Sequence, residues 1–257
     1  MPQMLRFPIL SRAAADAGSS AHPGEGSVAR RSIILFAVIG IVSYAVAMLV
    51  TMPASVVFKN HSWRTGVSGT LWFGEVGIAG GSTLRWRFAP LRSLTSLGFA
   101  ADWTATGPGT DLGGRMLMRP GRVVLDQVSG SAHASLLQLA GASLPFTCDF
   151  TMQVKMERIA IGGSDQRMQG SAITDPGSCR GQGVSAPASP VPALYFDAQA
   201  IGNESRLRLT PATQRRNALV SAVLQADGSM EITTTPEGAS TLPFLGIPPG
   251  ATIQTQF

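Results

Sequence analysis

The sequence predicts a mainly β protein, a curved or two-part antiparallel β-sheet body following one N-terminal transmembrane helix. Three observations predict it. Ser32–Met52 (SIILFAVIGIVSYAVAMLVTM) runs 21 residues without a charge, and at about 1.5 Å of helical rise per residue it reaches roughly 30 Å, the thickness of a bilayer's hydrocarbon core. Beyond Pro53 the apolar residues alternate with polar ones in short runs, the period of a half-buried strand. Turn pairs rich in Gly and Pro separate those runs, in a chain of 257 residues with 29 Gly, 17 Pro and only 14% charged residues.

Taken in order, residues 1–31 form a polar, small-residue tail that is expected to be disordered. Arg30 and Arg31 close it, directly before the apolar run, whereas the first bases after the run are Lys59 and Arg64. The positive-inside rule then puts the N-terminus in the cytoplasm and the body across the membrane. A cleaved signal peptide is the rival, because Ala45-Val46-Ala47 offers a small-x-small site. That site lies inside the run, and the run exceeds the roughly 7–15 apolar residues of a signal sequence, so an uncleaved anchor over 32–52 is expected. Apolar residues on all faces argue against a buried core helix.

The body, residues 53–257, holds 205 residues, enough for one large or two small domains. Phe150–Glu157 alternates over eight residues and is the plainest strand. Leu84–Phe88 puts Leu84, Trp86 and Phe88 on one face and its arginines on the other, and Arg206–Thr210 repeats the pattern. Further strands are expected at Val67–Phe73, Phe99–Ala105, Gly113–Met118, Val123–Val128, Met168–Ile173, Leu194–Ala200, Leu219–Gln225, Met230–Thr235 and Thr252–Gln256. Asp227-Gly228 between two of these is a hairpin signal. Helix is expected only at Pro90–Leu97, opened by Pro90 at its first position, and for a turn or two at Leu136–Gly141. Gly181–Pro192 reads as a loop, and a boundary between two halves is expected near Ser129–Leu144. Leu144-Pro145-Phe146 recurs as Leu242-Pro243-Phe244, and Val67-Ser68-Gly69-Thr70 as Val128-Ser129-Gly130-Ser131.

Composition excludes several functions. The net charge of +5 divides into +2 on the tail and +3 on the body, too little over the body for a nucleic-acid footprint. Trp63, Trp72, Trp86 and Trp103 beside Arg64, Arg85, Arg87 and Arg92 read as core indoles with solvated arginines. His22, His61 and His133 are isolated in sequence. No nucleophile elbow, phosphate-binding loop, dinucleotide fingerprint or zinc-protease motif occurs. No catalytic residue, cofactor or metal is therefore assigned. The two cysteines, Cys148 and Cys179, both lie in the exported part, and there an even count reads as a disulfide.

The segment Gly66–Pro90 contains Gly69, Thr70, Leu71, Trp72 and Gly74, followed by Leu84-x-Trp86-x-Phe88-x-Pro90. This pattern resembles the type II secretion system protein N family (GspN) of Gram-negative bacteria. The layout of short tail, single span and β-rich body is similar too, as are the cysteine pair and the late Leu242-Pro243-Phe244-x-Gly246 segment. The resemblance implies an accessory, non-enzymatic inner-membrane component of the machine that exports folded proteins across the outer membrane. Its partners would be other inner-membrane or periplasmic components of that system. A Gly-Thr-Leu-x-Gly followed by a Leu-x-Trp strand is also similar to AsmA-like proteins, which implies the alternative of lipid bound or bridged in a sheet groove.

Overall fold

The computed structural model describes residues 25–56, 64–78, 80–137, 146–181 and 187–256. The chain divides into two compact units at Leu49/Val50. The first contains helix α1 (Glu25–Val50), of which Ser32–Val50 is long and apolar enough to cross a membrane. Every side chain over that stretch is exposed. The helix begins earlier than expected, taking in Glu25–Arg31 from the supposed disordered tail, and so the backbone of Arg30 and Arg31 is helical. Ala29 and the two arginines are good helix formers, so helix propagates outward from the apolar core. It stops at Val50, short of the expected Met52, because Pro53 disfavours helical backbone in the residue before it. Residues 1–24, with His22, lie outside the described residues, as do Lys59, His61 and Trp63.

The second unit, Val50–Phe257, contains all sixteen described strands: β1 (Arg64–Gly69), β2 (Phe73–Ile78), β3 (Ser82–Phe88), β4 (Phe99–Gly107), β5 (Thr110–Arg119), β6 (Arg122–His133), β7 (Phe146–Asp149), β8 (Thr151–Ile161), β9 (Arg167–Thr174), β10 (Gly177–Gly181), β11 (Ser189–Val191), β12 (Leu194–Ile201), β13 (Glu204–Pro211), β14 (Val220–Gln225), β15 (Ser229–Thr234) and β16 (Thr252–Gln256). Thirteen form one antiparallel sheet in the order β1-β2-β3-β4-β5-β6-β8-β9-β12-β13-β14-β15-β16, and β11-β10-β7 form a second, small sheet. Two short helices, α2 (Pro90–Ser96) and α3 (Pro236–Thr241), sit in connections.

Two expectations are corrected, and a third falls partly outside the described residues. The proposed strand Val67–Phe73 is split: Gly69 ends β1, Thr70–Trp72 turn, and Phe73 starts a strand that had not been expected. The boundary expected near Ser129–Leu144 extends onto residues 138–145, outside the described residues; ahead of them β6 runs through Ser129 and pairs with β8 from Val123↔Ile161 to His133↔Thr151. Within Gly181–Pro192, Ser189–Val191 pairs with β10 despite Pro190; β11 is an edge strand, where a missing N–H is tolerated. The helical turn expected at Leu136–Gly141 shows a 3₁₀ turn at Ala134–Leu136, and residues 138–145 lie outside the described residues.

The large sheet is bent by aligned irregularities. The β5–β6 register shifts between Gly113 and Arg115, beside Gln127 at φ +54°. The β8–β9 register shifts between Met156 and Arg158, and β6 and β8 meet at Val128↔Met156 between the two. Bulges bend a strand and raise its twist. In consequence the C-terminal strands curl: Cα atoms of β14 approach within 8 Å of β9, although β12 and β13 lie between and a flat sheet would hold them roughly 14 Å apart. The curl is fastened at one end, where Gln166 N–H donates to Ala226 O (3.0 Å) and Met168 N–H to Ser205 Oγ (2.9 Å). Val128, Met156, Ala198, Leu207 and Leu224 fill its inward face.

The small sheet packs at the other end of these strands. Cys179, Val191, Leu194, Leu219 and Leu242 form its buried cluster. Cys148 and Cys179 are directly paired across β7 and β10 and are joined by a disulfide, with Cα atoms 4.1 Å apart. Replacing both with serine is expected to lower stability by about 2–4 kcal/mol, read as a shift in the urea midpoint against the oxidised parent.

At the β14–β15 hairpin, Asp227 accepts from Ser229 N–H (2.9 Å) and Ser229 Oγ–H (2.7 Å). These bonds, the backbone one first, hold its pKa below the ordinary 3.8. A depressed carboxyl stabilises the fold above its unfolded pKa, and that contribution is lost as pH falls through the folded value. Ser229→Ala is expected to move the Asp227 titration upward, as followed by carboxyl carbon shifts in NMR.

Candidate functional site

The residues of the Gly69–Pro90 pattern converge on one end of the sheet. Gly69 has φ +90°, and a Cβ there would stand 2.5 Å from Phe73 O, so only glycine fits the turn. Thr70 closes the turn: its N–H donates to Phe73 O (2.8 Å), and its Oγ1 accepts from Trp72 N–H (3.3 Å) and Phe73 N–H (3.4 Å). Such side-chain bonds to nearby backbone are the reason threonine favours turns over strand interiors. The Leu71 carbonyl accepts from Trp86 Nε1–H at 3.0 Å. Trp86, 7% exposed, lies across Gly74 on the neighbouring strand, where a Cβ would meet its ring at 2.6 Å. The same device recurs at Trp103 over Gly114 and Met156 over Gly170.

The other members pack around that centre. Leu84 pairs with Val76, which is fully buried. The Trp72 ring meets Phe88 edge-on at 4.7 Å, and Phe88 stacks on Phe99 at 5.3 Å. Pro90 opens α2 between those two phenylalanines. The chain leaving α1 joins the same place: Met52 O accepts from Leu71 N–H (3.0 Å), Pro53 bridges to Thr70, and Ala54 is fully buried in a cluster with Val76, Trp86 and Ala101. Only Thr51 separates the last residue of α1 from this junction.

Arg85 and Arg87, flanking Trp86, face outward, whereas Arg92 is half-buried. Arg85 pairs with Glu75 (3.1 Å) and Arg92 with Asp102 (2.9 Å), leaving the aromatic cluster as structure. The late Leu242-Pro243-Phe244 segment packs on the disulfide sheet, with Phe244 against Phe146 at 5.2 Å. The two phenylalanines that end the repeated Leu-Pro-Phe triplets thus touch each other. The Val-Ser-Gly echo has no such counterpart, because Gly69 ends a strand and Gly130 lies within one.

One grouping escaped the sequence. His133 Nδ1 lies 3.0 Å from Ser135 Oγ, and Nε2 lies 3.2 Å from Asp149 Oδ1. These are the residue types of a hydrolytic triad, and they are drawn together by the start of the 3₁₀ turn and by β7. Yet Ser135 N–H also donates to Nδ1 (3.2 Å), so the imidazole caps the turn, and Asp149 is largely exposed. Two surface depressions lie elsewhere, at 212–217 and across Ser129, Lys155, Ser171 and Tyr195. Among the described residues no group of three or more His, Cys, Asp or Glu has the arrangement to hold a metal. The geometry is one of rigid aromatic packing around Trp86 with the chain entry fixed at Met52–Ala54.

Compared with protein-family models, with curated proteins and with solved structures, the chain matches none.

Gly74→Ala is expected to push a methyl into both Trp86 and Ser68 O and to cost about 1–3 kcal/mol by overpacking. Trp86→Phe is expected to cost less in a Gly74→Ala background than alone, because the smaller ring makes room for the methyl; urea titration of the parent, both single variants and the double variant measures the coupling.

Proposed function

We propose that the protein is an accessory component of the type II secretion pathway, tethered in the inner membrane of a Gram-negative envelope with its N-terminus cytoplasmic and its β body periplasmic. The observation that carries this reading is that the residues behind the GspN resemblance, Gly69 to Pro90, form one packed unit where the chain leaves α1. Arg30 and Arg31 ahead of the apolar stretch support the orientation. The Cys148–Cys179 disulfide suits an oxidising compartment. In this reading the body works by contact with other periplasmic domains. Edge strand β16 is uncharged and exposed along its whole length, the form in which a sheet accepts a partner strand.

The AsmA-like alternative calls for a continuous apolar trough able to hold lipid. Half-buried Trp103, Leu112, Val154 and Phe196 on the inward face favour it, but they pack onto the cluster that fills the curl. That packing weighs toward protein contacts.

A clean deletion is expected to leave folded exoproteins in the periplasm, and the tagged full chain to co-purify with secretion components. Normal secretion together with no such co-purification overturns the reading. Alkaline phosphatase fused after Phe257 is expected to be active; an inactive fusion reverses the orientation.

A further inference from the structure

Helix α2 is turned inside out for a soluble protein. Its sequence, Pro90–Ser96 followed by Leu97, places Leu91, Leu94 and Leu97 at three-residue spacing. All three stand in solvent, 82%, 75% and 85% exposed. The polar side chains of the helix do the inward work instead. Ser93 Oγ accepts from Ala100 N–H (2.8 Å), Arg92 pairs with Asp102 (2.9 Å), and Arg119 reaches across to Ser96 O. The helix is thus pinned to β4 by polar bonds with its leucines facing away. Leu97 also adopts φ +47° at the helix C-terminus, a left-handed conformation usually left to glycine. A leucine that incurs backbone strain in order to stand in water points to a ligand outside the fold.

Its neighbours show what that ligand is. Phe73, Val56 and Met118 are also exposed. Register puts Phe73 and Met118 at the same sheet end: Phe73 pairs with Arg87 next to Phe88, and Met118 pairs with Phe99 on the far side of α2, while Val56 belongs to the turn that starts at buried Ala54. This is the end at which Met52, Pro53 and Ala54 are fixed, two to four residues after α1 finishes. Exposed Arg87 and Arg119 border the apolar group.

We infer that Leu91, Leu94 and Leu97 dock into the interface of the membrane that α1 spans, on the side of the body. A short apolar ridge bordered by arginines matches the headgroup–acyl boundary of an anionic leaflet. The inference rests on α1 crossing the bilayer, as in the reading above.

The test uses the full chain in nanodiscs of about three parts phosphatidylcholine to one part phosphatidylglycerol. Both native cysteines are bridged and the chain has no free thiol, so Leu94→Cys, Ser43→Cys and Ser240→Cys each carry a single bimane. Spin-labelled lipid is expected to quench Ser43, in α1, strongly and Leu94 by about half, with Ser240 on exposed α3 unchanged. Adding Leu91→Asn and Leu97→Asn to Leu94→Cys is expected to return quenching to the Ser240 level. If Ser43 is quenched and Leu94 matches Ser240, membrane docking is overturned and the leucines face a protein partner. If Ser43 itself is unquenched, the spanning reading falls and the inference with it.

Discussion

The bond from the Trp86 indole to the Leu71 carbonyl does more than satisfy two polar groups. It fixes the turn between β1 and β2 over the ring, and the ring in turn can lie flat only because Gly74 offers no side chain. Ala54 then closes the other side. Without this arrangement the first strands would lose the centre of their buried cluster, in which Val76, Ala101 and Ala54 pack on Trp86. A buried indole contributes large apolar area but requires its N–H to be paired. Here the partner is a turn carbonyl, so the sheet's first hairpin and its first core residue stabilise each other.

The rest of the body solves the same problem in a different way. A thirteen-stranded sheet must bury one face, and a flat one would need another layer to cover it. Bulges at Gln127 and near Glu157 bend it until the later strands supply their own cover. Residues with large side chains lie over glycines on the neighbouring strand, which keeps the curled interior tight. The disulfide sheet and the Leu242–Leu245 segment then seal the remaining end. Among the described residues, edge strand β16 and the leucine ridge of α2 stay open to solvent.

Most strands were legible because alternation with a solvated face is a strong signal, and turn pairs such as Pro108-Gly109 and Asp227-Gly228 marked their ends. The misses have physical causes. Val67–Phe73 looks like one apolar run because the turn inside it is made by Gly69 backbone freedom and a threonine side chain, neither of which interrupts hydropathy. Phe73–Ile78 was hidden by its glycines, which leave the strand pattern with gaps where rings from β3 lie. The faultless alternation of Phe150–Glu157 concealed that its last residue sits at a bulge, and with it the curl. The Ser135–His133–Asp149 grouping depends on how β7 returns beside the 3₁₀ turn that follows β6, which spacing along the chain does not disclose. The leucines of α2 were legible as helix formers, but not as outward-facing, since that follows from the bonds of Ser93 and Arg92 to β4.

Strand order carries a last consequence, for assembly. Apart from the β7 and β10–β11 excursions, every strand of the large sheet pairs with the one that precedes it in sequence. A chain that folds as it is synthesised, from its N-terminal end onward, can therefore add each new strand to an edge already in place, closing only short loops as it goes. The cysteines stand 31 positions apart, so their bridge can form before β12 has emerged. Growth in this order keeps one unpaired edge moving along the chain, and the unfinished protein never has to hold two distant segments in wait for each other.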